Sequence, residues 1–96
     1  MTKSKTYTYC VYVLEIDGDP YTVYVGQTYL SPQERLEQHK NGVHSARSIR
    51  NAVKLELRPD LYEDIPRLKT RDEALKAEYN LAKKLKVYGY IVEGGH

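Results

Sequence analysis

The sequence predicts one small α+β domain, built from a strand hairpin, helices and further short strands. Three observations predict it. Residues 7–27 hold two runs rich in Tyr, Val and Thr on either side of a turn cluster, the pattern of an antiparallel hairpin. Ser31 with Glu34, and Thr70 with Glu73, each have the spacing of a capping box that opens a helix. A chain of 96 residues is long enough for one core and too short for two, so residues 1–96 are read as a single domain.

The elements follow in order. Tyr7 to Ile16 is the first strand, with Cys10, Tyr12 and Leu14 on one face. Asp17-Gly18-Asp19-Pro20 is the turn, where Gly18 supplies positive φ. Tyr21 to Gln27 is the second strand, with Thr22, Tyr24 and Gly26 sharing a face; Gly26 marks a place where backbone or ligand approaches closely. Ser31 caps the first helix, Pro32 fits its first position, and the helix runs to Lys40 before the Asn41-Gly42 stop. Ser45 to Val53 has the composition of a second, short helix, on which Arg47, Arg50 and Lys54 form a basic stripe. Lys54 to Leu57 reads as a third strand and Arg58 to Pro66, with two prolines, as a connection. Thr70 opens a long helix to Val87, with Ala74, Leu75, Leu81, Ala82 and Leu85 as its apolar stripe. Gly89 closes it. Tyr90 to Val92 forms a final short strand, and Gly94-Gly95-His96 is a tail.

Composition narrows the function classes. There is no Phe and no Trp but there are 10 Tyr, so the aromatic share of the core is phenolic and its hydroxyls need partners. Cys10 is the sole cysteine, which excludes an internal disulfide or a cysteine zinc site; it reads as a small buried hydrophobe. No apolar run approaches the roughly 20 residues of a membrane helix, and residues 1–8 lack the apolar segment of a secretory signal. The expected location is cytoplasmic. Net charge is only +2, but it is unevenly placed. Between His39 and Leu55 lie Lys40, Arg47, Arg50 and Lys54 with no acidic residue, whereas the chain after Pro59 is balanced. A local basic patch in a near-neutral protein suits a phosphate footprint as well as it suits an ordinary solvated face.

Four groups of residues have a chemical reading beside a structural one. Glu78 lies four residues after Ala74 and four before Ala82, on the apolar stripe of the long helix. A carboxylate there is either a salt-bridged edge residue or a metal ligand, and Mg²⁺ needs only one or two protein carboxylates. Arg35 and His39 are four apart and project from one helix face. They are either a solvated face or, if turned toward the hairpin, a phosphate-holding guanidinium with an imidazole beside it. Tyr12 and Tyr24 are ordinary cross-strand packing residues or phenols poised for proton transfer; an unperturbed phenol, with a pKa near ~10, needs a neighbouring cation for that work. Arg47, Arg50 and Lys54 are the candidate nucleic-acid contacts.

Taken together, these residues resemble the GIY-YIG nuclease family. Cys10-Val11-Tyr12 is similar to the first half-motif, with Cys for the leading Gly, and Tyr24-Val25-Gly26 to the second, with Val for Ile. Arg35 through His39 is similar to the family's R-x-x-x-H helix, and Ala74 through Glu78 to the helix that supplies its metal-binding glutamate. The resemblance spans residues 9–85 in the expected order. It implies a central, mainly antiparallel sheet of about three strands flanked by helices. It also implies a metal-dependent endonuclease that hydrolyses phosphodiester bonds, in DNA in preference to RNA. One divalent ion, Mg²⁺ or Mn²⁺, would be held by Glu78; Tyr12 or Tyr24 would activate water; Arg35 would contact the scissile phosphate with His39 assisting. Gly26 is the structural glycine of the second half-motif.

The departures are instructive. Where relatives often carry an Asn about a dozen residues after the glutamate, this chain has Tyr90. Many relatives attach a separate DNA-binding domain, for which these 96 residues leave no room. Substrate capture then falls to Arg47, Arg50 and Lys54, or to a partner subunit such as a second copy, and is expected to be salt-sensitive and structure-directed. Two other function classes stand beside the enzyme: a nucleic-acid-binding module of the same fold with weak catalysis, which would be indifferent to Glu78, and a protein-interaction domain that docks through its tyrosine-rich hairpin.

Overall fold

The computed structural model describes residues 8–42 and 49–94. Two strands, β1 (Cys10–Ile16) and β2 (Asp19–Thr28), form the hairpin; α1 (Pro32–Lys40), β3 (Leu55–Leu57), α2 (Arg71–Val87) and β4 (Ile91–Gly94) follow. The sheet has four strands in the order β3-β1-β2-β4. β1 pairs antiparallel with both β2 and β3, and β4 adds to β2 in parallel. The sheet is therefore mixed, and one strand larger than the expected three. The parallel pairing is physically available because α2 serves as the crossover that returns the chain to the far edge.

Both faces of the sheet are covered, and alternation along the strands decides which side chain goes where. Val11, Val13, Val23 and Val25 point to α2, where Leu81, Ala82 and Leu85 meet them. Tyr12, Leu14 and Ile16 point to the opposite face, packing with Leu36 of α1, Ile49 and Leu55. Cys10 is buried as expected, its Sγ donating to the Leu30 carbonyl at 3.4 Å. On α2 the buried positions are Ala74, Glu78, Leu81, Ala82 and Leu85, while Leu75 is half-buried at the margin.

The helix starts are built as the sequence dictates. Ser31 and Glu34 exchange side-chain and backbone hydrogen bonds at the head of α1, with Pro32 in its first turn, and Thr70 and Glu73 do the same for α2. The hairpin turn is tighter than Asp17–Pro20: Asp17 and Gly18 both take positive φ (53° and 75°), the requirement of a two-residue type I′ turn, and β2 begins at Asp19. The register then slips between Glu15 and Ile16. Pro20, which has no N–H to give a ladder, falls inside this irregularity.

Part of the expected helix over Ser45–Val53 lies outside the described residues. The part that is described, residues 49–53, is turn rather than α-helix. The reason is competition from Asp17. Its carboxylate accepts from the backbone N–H groups of Val53 (2.7 Å) and Lys54 (3.0 Å), while its own N–H donates to the Lys54 carbonyl (2.8 Å). These bonds pull the chain into the extended path of β3. The helical spacing of the basic stripe therefore does not hold for Arg50 and Lys54, and Arg47 lies outside the described residues. The connection after β3 contains a short 3-10 turn at Pro59–Leu61 and is anchored by Arg58, which donates to Asp60, Glu15 and the Pro20 carbonyl.

Candidate active site

The hairpin register builds the first wall. Tyr12 pairs with Gly26 and Leu14 with Tyr24, so the two phenols are diagonal neighbours on one face of the sheet. Their ring centroids are 6.2 Å apart. Gly26 makes this arrangement possible: a β-carbon there would lie 2.6 Å from the Tyr12 hydroxyl oxygen and 2.9 Å from Tyr24 Cε2. A second glycine closes the other side of Tyr24. Gly94, at positive φ (71°), pairs with Val25 in the parallel ladder, and a β-carbon there would meet Tyr24 Cε1 at 2.7 Å and the Val25 carbonyl oxygen at 2.6 Å. The sequence reading placed Gly94 in a tail; its signal is visible only once β4 is known to lie beside β2.

Helix α1 brings the second wall. The Tyr12 hydroxyl and His39 Nε2 are 2.8 Å apart in a buried hydrogen bond. The imidazole also stands edge-on to Tyr24, with centroids 5.5 Å apart. His39 is buried, not on a solvated helix face. Burial first, and the Arg35 guanidinium second, push its pKa down to about 4. The ring is thus neutral at physiological pH, free to accept from the phenol in the tautomer that carries its proton on Nδ1. Arg35, one turn earlier, donates to Gln38 Oε1 at 2.8 Å and also lies against the Tyr12 hydroxyl.

Helix α2 supplies the carboxylate. Glu78 is only 5 % exposed. Its charge reaches both phenols. Burial raises the pKa of Tyr24, and Glu78 raises it further, against the opposing pull of Arg35 and of the Tyr12 hydroxyl. Tyr12 is raised more strongly, by burial first and then by Tyr24, with Arg35 again opposing. Five residues from β1, β2, α1 and α2 therefore converge: Tyr12, Tyr24, Arg35, His39 and Glu78.

The sequence has a match among known families. A family model of the GIY-YIG catalytic domain covers residues 8–90. The chain belongs to the GIY-YIG family. The domain is accordingly of the endonuclease type, a hydrolase whose substrate is nucleic acid, and the family generally uses divalent metal ions. No curated protein and no solved structure matches the chain. No helix among the described residues is long and apolar enough to cross a membrane.

The remaining candidates lie nearby. Arg50 and Lys54 line a cavity of about 560 Å³ together with His39, Lys40 and Leu55, directly behind the imidazole. Lys54 shares its charge with Glu56 at 3.2 Å, an exposed pair. Among the described residues no cluster of three or more His, Cys, Asp or Glu side chains forms a ready-made metal cage. The oxygen donors at this site are the Glu78 carboxylate and the Tyr24 hydroxyl, while the Tyr12 hydroxyl and His39 Nε2 bond to each other. That set fits a hard, oxygen-seeking cation that keeps several waters, as Mg²⁺ does, and does not fit a structural zinc site.

Proposed function

We propose that this domain is a metal-dependent endonuclease that hydrolyses phosphodiester bonds in DNA, selecting substrates by structure rather than sequence. The observation that carries the reading is the convergence of Tyr12, Tyr24, Arg35, His39 and Glu78 from four separate elements around the Gly26 backbone.

The roles divide by exposure and charge. Tyr12 is 1 % exposed and bonded to His39, so it cannot meet solvent directly. Tyr24 is the more exposed phenol and is close to Glu78, which makes it the group that takes the proton of the attacking water. The Tyr12–His39 pair fixes the Tyr24 ring and the polarity of the pocket behind it. Arg35 holds a phosphate oxygen and stabilises the charge that builds there as water attacks phosphorus and the P–O ester bond breaks. Glu78 would hold one divalent ion, Mg²⁺ or Mn²⁺. When bound, such an ion supplies Lewis-acid stabilisation of the phosphate and lowers the pKa of the oxygen acids around it. That cationic charge is needed, because burial and Glu78 together keep the Tyr24 phenol neutral.

Arg50 and Lys54 would contact the phosphate backbone from the cavity beside His39, as sequence-independent positioning contacts, and Arg47, outside the described residues, would join them as the sequence suggests. A second copy of the chain would supply further contacts for substrate capture. We take the chain as a single cytoplasmic domain. The test is a nicking assay on plasmid and branched DNA with Mg²⁺ or Mn²⁺. Wild type should cleave, and Glu78→Gln should not. If the two are equally inert on all substrates yet bind DNA alike, the domain is instead a binding module with the same fold.

A further inference from the structure

A second cavity, of about 360 Å³, lies where the end of β2 meets α1 and the head of α2. It shares no lining residue with the cavity behind His39. Arg35, Gln38 and Arg71 line it, and none of its lining residues is a carboxylate. Solvent reaches these groups: Arg71 is exposed, and Arg35 and Gln38 are half-buried. What they offer is donors. The Gln38 side-chain oxygen accepts from Arg35 at 2.8 Å, which leaves its amide N–H groups to face a ligand. Arg67 adds positive charge at the rim, because it donates only to neutral acceptors, the Thr8 hydroxyl and carbonyl and the carbonyl of Tyr29.

Arg71 is the anomaly. It is the first residue of α2, where the positive end of the helix dipole disfavours a cation. Its guanidinium makes no hydrogen bond or ion pair among the described residues. Neither helix stability nor an ion pair therefore accounts for it. A guanidinium in a carboxylate-free cavity suits an anion, and its planar fork matches the oxygens of a phosphate.

We infer that this cavity seats a backbone phosphate of the substrate strand next to the one that is cleaved, with Arg71 as its main contact. The inference rests on the nuclease reading for the course of the strand and on the cavity for the anion. Arg71 and Glu78 are seven residues apart on α2, so they share a face and lie about 10 Å apart at 1.5 Å per residue. Glu78 acts on the phenols, and Arg71 lines the cavity. Arg35 joins the two places: it lines the cavity and also lies against the Tyr12 hydroxyl. A strand whose cleaved phosphate sits at Arg35 has a neighbouring phosphate within reach of Arg71. With Arg50 and Lys54 behind His39, the backbone is then gripped on both sides of the cut. Such a contact fixes the position of the strand and carries no sequence information.

The test is a scan of the backbone charge. Branched DNA with one uncharged methylphosphonate, placed at each backbone position in turn, is titrated in EDTA by filter binding. Wild type should lose about tenfold in affinity at one position. Where the protein nicks with Mg²⁺, that position should neighbour the cleaved bond. Arg71→Ala should bind fully charged DNA about tenfold more weakly, lose nothing further at that position, and show a salt slope lower by about one. With Mg²⁺ it should raise KM about tenfold and leave kcat within about twofold. Its stability in urea should match or exceed wild type, because a cation leaves the positive end of the helix. Lys76→Ala removes an exposed cation from another face of α2 and should leave the scan and the salt slope unchanged. Equal loss at the sensitive position in wild type and Arg71→Ala overturns the inference, as does equal weakening by Lys76→Ala. Inorganic phosphate at matched ionic strength distinguishes the source of the anion. If it displaces DNA from wild type and not from Arg71→Ala while the scan is flat, the cavity holds free phosphate and the strand contact is overturned. Wild-type nicking with a flat scan leaves the nuclease reading standing. A position lost only by wild type, in a protein that never nicks, removes the nuclease reading and keeps Arg71 as a backbone contact of a binding module.

Discussion

Gly26→Ala is the most direct probe of how the site is built, because it adds one methyl group and changes no charge. The new carbon would sit 2.6 Å from the Tyr12 hydroxyl oxygen, 2.8 Å from its Cζ and 2.9 Å from Tyr24 Cε2. All three separations are about an ångström inside ordinary carbon contact. Neither ring can simply swing away. Tyr12 is 1 % exposed and bonded to His39, and Tyr24 is flanked on its other edge by Gly94. Overpacking of this kind costs about 1–3 kcal/mol, and losing the buried Tyr12–His39 bond adds on the order of 1 kcal/mol. Gly26 does not need positive φ, so alanine gains about 0.4–1 kcal/mol from a stiffer unfolded chain. The net expectation is a loss of about 1–3 kcal/mol in urea unfolding. Displacing a phenol by about an ångström should lower cleavage by roughly 10²-fold. Circular dichroism in urea and plasmid nicking measure the two effects. Wild-type stability together with wild-type cleavage would show that the glycine does not set the separation of the phenols, and the site geometry argued above would be wrong.

Other perturbations give separable outcomes. Gly94→Ala should destabilise by about 1–3 kcal/mol, because it combines a left-handed backbone with a contact 2.6 Å from the Val25 carbonyl oxygen; Gly95→Ala serves as the neighbouring control in the same melt. Glu78→Gln should abolish cleavage while keeping urea-unfolding stability within about 1 kcal/mol of wild type, since the amide keeps the shape of the side chain and can still accept hydrogen bonds; a loss of several kcal/mol would instead mark Glu78 as chiefly a structural residue. His39 has a native pKa of about 4 against an ordinary 6.5, so the unfolded chain takes up its proton first as pH falls. Its contribution is therefore full above pH 6.5 and is lost toward pH 4, by about 2–3 kcal/mol. His39→Gln should flatten that slope relative to wild type in pH-dependent urea melts, and an unchanged slope would sink the assignment. Arg50→Ala and Lys54→Ala should each reduce the salt slope of DNA affinity by about one, measured by filter binding.

What the sequence carried legibly was local. The two capping boxes, the hairpin and the alternation of β1 fixed the faces on which Tyr12, Tyr24 and Arg35 sit, because each depends on spacings of two to four residues. Glu78 was legible as an anomaly on an apolar stripe, since a buried carboxylate breaks the helical pattern. The features that escaped depend on partners distant in the chain. Nothing near Gly94 says that β4 will run parallel to β2 and present that glycine to Tyr24. Nothing near Ile49 says that Asp17 will capture the N–H groups of Val53 and Lys54 and end any helix there. The two readings of His39, a solvated face or one turned toward the hairpin, could not be separated from spacing for the same reason: its burial is set by a tyrosine 27 positions earlier.

The electrostatics of the resting site set the form in which each of its titratable groups stands. Burial and Glu78 hold Tyr24 protonated, and burial and Arg35 hold His39 neutral. Every group that could act as a base is thus in a weak form until positive charge arrives beside the carboxylate. On the proposed reading Glu78 would supply the handle for that charge; without that charge, the carboxylate raises the pKa of the phenol beside it. Its effect on Tyr24 would then reverse in sign when a cation binds. In the metal-free protein, Glu78→Gln should lower the Tyr24 pKa. This can be read by ultraviolet difference titration of the phenolate against Tyr24→Phe. In the presence of Mg²⁺ the order should invert, with wild type ionising at lower pH than Glu78→Gln. A Tyr24 titration that moves in the same direction with and without Mg²⁺ would mean that no cation is bound at Glu78.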